Sequence, residues 1–156
     1  MPSPDDRQDI DTLLAELDDW KQGSRDSLVR LAKVLGADPE AVAERPYTML
    51  SPVHELMRDE DVAALPEDDY WWLFTHVLAY TAQYVMHEYG GDWTVDTDPA
   101  SPSYGRYVLS DFPPPAGGDF RLDVGEYVDS LFSLPVGRSY VDMLARVAEA
   151  VPSDQP

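Results

Sequence analysis

The sequence predicts an α+β fold, mostly helical, with one long central helix and a small antiparallel sheet. Three observations lead there. Apolar side chains recur at three- and four-residue spacing through most of residues 3–89 and again after residue 123. The longest uncharged run, Tyr70 to Met86, is bounded by acids and contains His76 and Gln83, so it reads as a core helix and not a membrane span. After Gly90-Gly91 the apolar period changes to two. At 156 residues and 44% hydrophobic content, surface scaling has the chain burying roughly 70% of its unfolded surface, enough for one real core. A single domain is placed over residues 1–151, with 152–156 as a disordered tail.

Ser3-Pro4-Asp5-Asp6 supplies an N-cap, a proline at the first helical position and acids at the positive end of the dipole. The helix it opens runs to about Trp20, with Ile10, Leu13, Leu14 and Leu17 on one face, and Gly23 ends it. Ser24 caps a second helix carrying Leu28, Leu31, Ala32 and Leu35 up to Gly36, and Asp38-Pro39-Glu40 opens a short third. Ser51-Pro52 marks a short turn with His54 and Leu56. The long helix starts at Pro66-Glu67-Asp68-Asp69 and ends at Tyr89 before Gly90-Gly91; Leu73, Val77, Thr81, Phe74, Val85 and Leu78 lie in its aliphatic arc. Trp93 and Val95 form one strand and Tyr104 to Leu109 another, joined through the loop Asp98 to Ser103. Phe112 to Gly118 is a second loop, and Phe120, Leu122 and Val124 supply a third short strand. Two helices close the chain, from Gly125 to Leu134 with Asp123 and Glu126 as a capping box, and from Ser139 to Val151.

The charge excludes more partners than it names. Thirty acids stand against eleven Lys and Arg, a formal charge of -19. Such a surface repels phosphate backbones and anionic lipid headgroups, which argues against nucleic acid and membrane as partners. Residues 24–45 are neutral, with four acids and four bases, whereas residues 46–156 carry nineteen acids and five bases. The acids average about 16 Å apart, beyond the physiological Debye length of about 8 Å, so self-repulsion is mild. The absence of cysteine removes disulfides, thiolate metal sites and thiol nucleophiles together. The opening residues carry neither a basic n-region nor an apolar stretch, which makes the cytoplasm the expected compartment.

Residues 28–42 have the spacing of the first two helices of a repressor-type helix-turn-helix, through Leu31, Ala32, Gly36 and Val42. The position of the base-reading helix offers Glu40, Ala41, Ala43 and Glu44, which cannot read bases, so DNA recognition is not expected. On the long helix a second stripe, Trp72, His76, Tyr80, Gln83 and His87, spans about 80 degrees opposite the aliphatic arc, and each member can donate a hydrogen bond. Either a ligand groove or packing against a second layer would look like this. Glu88 falls inside the aliphatic arc at the negative end of the helix dipole, and a buried pair with Arg106 or Arg121 would relieve it; the alternative is a poised acid in a cleft. His76 and His87 are about 16 Å apart along the axis and cannot share a metal ion. Asp92, Asp96 and Asp98 do not match a calcium loop, which leaves no metal and no cofactor expected. No GxGxxG, Walker lysine, GxSxG or HExxH motif is present.

Gly90-Gly91-Asp92-Trp93, Asp98-Pro99, Ser101-Pro102 and Tyr104-Gly105-Arg106-Tyr107-Val108, with the helix that precedes them, resemble small uncharacterised proteins of high-GC actinobacteria. The resemblance covers roughly residues 70–110. It implies an intracellular bacterial domain and carries no catalytic residue with it.

The reading that follows is a non-enzymatic, cytoplasmic protein-binding module of adaptor, inhibitor or immunity type, its partner another protein; the acidity reads first as a solvated surface that keeps the chain soluble and otherwise as a field that steers a basic partner. Trp72, Tyr80, Trp93 and Tyr104 are residue types that anchor interfaces. Two alternatives stand beside it. One is a small-molecule binder or enzyme using a cleft between the long helix and the hairpin, with His76, His87 and Glu88 as acid-base candidates and Gln83 and Arg106 nearby. The other is a nucleic-acid mimic, which requires acids aligned on one face.

Overall fold

A computed structural model describes residues 4–152, with side-chain detail from Asp9 onward. Among the described residues seven helices and two strands follow one another: α1 Pro4–Ala15, α2 Leu17–Val34, α3 Pro39–Glu44, α4 Leu50–Asp59, α5 Glu67–Tyr89, β1 Asp92–Val95, β2 Tyr107–Ser110, α6 Val124–Phe132 and α7 Tyr140–Ala150. Short 3-10 turns at Pro46–Met49 and Val62–Ala64 flank α4. The architecture is the mostly helical α+β fold that the sequence predicts. Ser3, the expected cap of the first helix, and the tail from residue 153 lie outside the described residues.

The 23 residues of α5 form its axis. Three acids in the first turn favour the helix start, and Gly90 at φ 82° stops the far end. Both glycines after it are obligatory. A Cβ on Gly90 would lie 2.7 Å from Pro113 Cδ, and one on Gly91 (φ 90°) would lie 2.9 Å from Phe112 Cε1. Such an apolar helix must be covered on more than one side. Leu73, Val77 and Val85 enter the core from one stripe, His76 and Tyr80 from the other.

The buried hydroxyl groups along α5 are each matched to a specific partner. Tyr80 is fully buried and donates to Pro46 O at 2.8 Å, which holds the Pro46–Met49 turn against the middle of α5. Thr81 Oγ1 donates its single proton to Val77 O at 2.7 Å, so the buried Tyr140 hydroxyl, also 2.7 Å away, is the donor to Thr81. That contact sets α7 on α5. Burial drives both phenols above their ordinary range.

Reciprocal capping joins α4 to the last helix. The buried Arg138, in the loop between α6 and α7, donates to Met57 O (2.7 Å) and Glu60 O (2.6 Å) and to Leu134 O through Nε and Nη2. Gly137 N donates to Arg58 O at 2.8 Å. The open carbonyls at the end of α4 are thus satisfied by a cation placed at the negative end of its dipole. In return His54 Nδ1 on α4 accepts from Val141 N in the first turn of α7, and Ser139 caps Asp142 N.

β1 and β2 pair antiparallel, Asp92 opposite Ser110 and Val95 opposite Tyr107. The loop between them is organised by Asp96, whose buried carboxylate accepts from Ser101 Oγ, Ser103 Oγ and Asp98 N, with Arg121 Nε 3.6 Å away. Burial opposes its charge, but those donors and Arg121 outweigh the penalty and hold the carboxyl below its usual range.

Four boundaries differ from expectation. The first helix ends at Ala15, and α2 runs unbroken through Gly23 and Ser24. Tertiary contacts hold it on both sides of Gly23, since Trp20 stacks on Tyr107 while Leu28 lies in the core, and this outweighs the helix cost of glycine, about 1 kcal/mol. The turn expected at Ser51-Pro52 is the ten-residue α4, its end satisfied from a distance. The third strand reduces to one bridge between Leu109 and Leu122, because Val124 already belongs to α6. The second strand of the hairpin starts at Tyr107, not Tyr104.

Replacing Arg138 by Met should lower stability by about 3 kcal/mol, equivalent to a fall of roughly 6–12 °C in Tm, because one buried and two part-buried carbonyls lose their donor. Lys should not rescue it, as one ammonium cannot span carbonyls met by a planar fork. Urea denaturation of both variants checks this.

Candidate functional site

Covering α5 from two sides leaves a third stripe, Trp71, Phe74, Thr75 and Leu78, only partly covered. On one side of this stripe α2, α5 and β1 enclose a cavity of about 490 Å³ lined mainly by Trp20, Trp71, Phe74, Leu78 and Trp93, with Gly23 in its α2 wall. On the other side a second hollow, of about 640 Å³, lies between α5, the end of the β1–β2 loop and the start of α6, bordered by Arg106, Asp123, Glu126 and Asp129. Trp20, Phe74 and Leu78 belong to the walls of both, so the two hollows adjoin across that shared wall as a bipartite groove, apolar on one side and acidic on the other.

Aromatic packing fixes the shape of the apolar half. Trp20 is stacked on Tyr107 (centroids 4.3 Å, 15°) and meets Trp93 edge-on (5.3 Å, 84°). Tyr107 in turn donates to Leu13 O at 2.8 Å, tying the hairpin to α1. The indole nitrogens of Trp20 and Trp93 are both buried with no acceptor, an unusual pair of orphan donors in one wall. Trp71 is 53% exposed.

Arg30 stands at the polar edge of this half. Its Nη2 donates to Ser27 Oγ and its Nε to His76 Nε2, both at 3.1 Å. Because Nε2 accepts, the proton of the imidazole is on Nδ1, which donates to Trp72 O at 2.6 Å. Burial and then the charge of Arg30 pull the His76 pKa down, against the opposing pull of the Trp72 carbonyl. His76 is a neutral positioning residue for Arg30.

The acidic half is built on the N-terminus of α6. Asp123 accepts from Glu126 N as the helix cap and from Arg106 Nη1 at 2.8 Å. This draws one charge pair into the wall and leaves Glu126 and Asp129, both exposed, without a salt bridge among the described residues.

The residues expected at a site from sequence are dispersed. Trp72 lies half out of the surface with its ring 3.8 Å from that of His76. Tyr80 is in the core and Gln83 donates to Ala43 O at 3.1 Å, so the Trp72-His76-Tyr80-Gln83 stripe is largely a packing face against α2, α3 and the Pro46–Met49 turn. His87 and Glu88 are exposed on the last turn of α5, 3.5 Å from each other. Glu88 is therefore not in the buried arc, and the expected pair with Arg106 or Arg121 is replaced by Arg106–Asp123 and Arg121–Asp96; the arc has lost its cover by the final turn. Trp93 and Arg106 do line the groove, while Tyr104 sits in the adjacent loop and donates its N–H to Ser101 O. Sequence reasoning missed Trp20, Gly23, Trp71 and the Glu126/Asp129 pair. The available signal was Trp71 and Thr75, which extend the face of Phe74 and Leu78 beyond the edge of the aliphatic arc to which those two were assigned.

Among the described residues no three His, Asp or Glu side chains come together to hold a metal ion, and no helix is long and apolar enough to cross a membrane.

The His76 environment sets a pH dependence. Above its unfolded pKa of about 6.5 the imidazole is neutral in both states and its contribution is fully present. Below that, the unfolded chain takes the proton first, so stability falls with pH until the depressed folded pKa is passed. Between pH 7 and pH 5 the wild type should lose stability more steeply than His76→Asn, by up to about 1.4 kcal/mol per unit of pKa depression; parallel urea midpoints would refute this. Arg106→Ala, which removes a pair whose arginine side chain is 60% exposed, should change stability by less than about 1 kcal/mol. No protein-family model, curated protein or solved structure matches this chain, so its functional reading rests on this geometry.

Proposed function

We propose that this is a non-enzymatic, cytoplasmic protein-binding module, of adaptor, inhibitor or immunity type, whose partner is a basic protein. The observation that carries the reading is the bipartite groove: aromatic side chains sit at a half-open surface, and across their shared wall lie Glu126 and Asp129, two carboxylates without a salt bridge among the described residues. Interface anchors are typically Trp and Tyr surrounded by polar groups, and a net charge of -19 steers a cationic partner toward them. A bacterial source belongs to the same reading. Catalysis finds less support, because His76 is committed to Arg30 and the Trp72 carbonyl, and neither His87 nor Glu88 lines the groove. Exposed acids occur on each of α1 to α7, including Asp11, Asp26, Glu44, Glu55, Asp69, Asp129 and Glu149; this scatter favours steering over mimicry of a phosphate row.

One observation favours a second reading. A cavity of about 490 Å³ with mainly apolar walls is within the size range of small-ligand sites, so an aromatic metabolite is the alternative occupant.

Affinity capture with the tagged protein at about 50 mM and about 500 mM salt separates the two readings, as the Debye length falls from about 14 Å to about 4 Å between them. The expected result is one stoichiometric basic protein, retained at low salt, released at high salt, and lost at both with Glu126→Gln/Asp129→Asn. A metabolite that raises Tm, with no protein retained at either salt, would replace the protein-binding reading with the second.

A further inference from the structure

We propose that the groove docks an extended basic segment of the partner, with one bulky apolar side chain in the hollow between α2, α5 and β1 and neighbouring Lys or Arg residues beside Glu126 and Asp129. The inference deepens the protein-binding reading and rests on it.

Charge complementarity selects the occupant. The acidic half is lined by Asp123, Glu126 and Asp129 with Arg106, and Arg106 is already bonded to Asp123; Glu126 borders a neighbouring hollow with Arg146 but makes no salt bridge to it, which leaves two carboxylates for incoming cations. The apolar half offers aromatic walls and only Asp19 and Arg30 as charges, Arg30 held by Ser27 and His76. An apolar anchor flanked by cations satisfies both halves at once, and the shared wall of Trp20, Phe74 and Leu78 keeps the two within a few residues of extended chain.

One feature otherwise without a role fits this occupant, Gly23. It sits inside α2, where glycine is a poor helix former, yet an added Cβ would meet nothing within 4 Å. Folding does not require it; what it does is leave the α2 wall of the hollow open.

The test uses the full chain and a seven-residue synthetic peptide with one central leucine and two Lys or Arg on each side, measured by isothermal titration. Its controls are the same peptide with central alanine and the same peptide with glutamate flanks. Expected are a Kd at least tenfold weaker for the alanine form and no binding of the glutamate form. Gly23→Leu should weaken the leucine peptide at least tenfold without lowering Tm. Glu126→Gln/Asp129→Asn should weaken it about fivefold or more, whereas Glu40→Gln/Glu44→Gln, equal in charge but outside the groove, should change it less than twofold. Equal weakening by the two charge doublets, or unchanged affinity in Gly23→Leu, would mean diffuse attraction and overturn the groove while leaving the protein-binding reading to the capture experiment. No binding of any peptide by the wild type would overturn it in the same way. A dimer in sedimentation that Gly23→Leu abolishes would make a second copy the occupant, and an aromatic acid stabilising the wild type but not Gly23→Leu would make it a small molecule; either overturns the proposal.

Discussion

The need to satisfy hydroxyl groups buried along α5 constrains the rest of the fold. An apolar helix of 23 residues could pack against its neighbours in many registers, because hydrophobic contact is not directional. Tyr80 and Thr81 remove that freedom. Their bonds to Pro46 O and the Tyr140 hydroxyl each specify one position for a different neighbour, the turn before α4 in one case and α7 in the other. A one-turn slip of either would leave a buried hydroxyl unpaired, at about 1–3 kcal/mol. The mutual capping of α4 and α7 through Arg138 and His54 then locks the two neighbours to each other.

Local signals in the sequence identify most of the elements. Pro66 and the three acids after it start α5, Gly90-Gly91 ends it, and Asp38, Asp123 and Ser139 each cap the helix expected of them. Where local signals mislead, a remote contact has overruled them. Gly23-Ser24 has the composition of a stop and a new cap, but Trp20 and Leu28 are held on opposite sides of it. Ser51-Pro52 suggests a single turn, yet carbonyl acceptors at the end of α4 are met by residues 137 and 138. Neither partner is visible from within a short window.

The site was less legible than the fold, for a geometrical reason. Helical spacing states which residues share a face, not which face remains uncovered. Trp72, His76, Tyr80 and Gln83 do share one, and their polar atoms are consumed by Arg30, backbone carbonyls and packing. The uncovered stripe begins one residue earlier at Trp71. Its charge partners come from α6, some 50 residues on, so no spacing rule could have joined Phe74 to Asp129. Glu88 shows the same limit, since its angle on the helix is right for burial but α5 has outrun its cover there.

The Arg138 cap also bears on how the chain is made. Its acceptors on α4 precede it by 81 and 78 residues. At translation rates of about 5–20 residues per second, α4 leaves the ribosome roughly 4–16 s before its cap. During that interval its last turn has open carbonyls and its apolar face lacks α7. The α4 end of the core is therefore completed only after residue 138 has been made, and until then its last carbonyls are left to water.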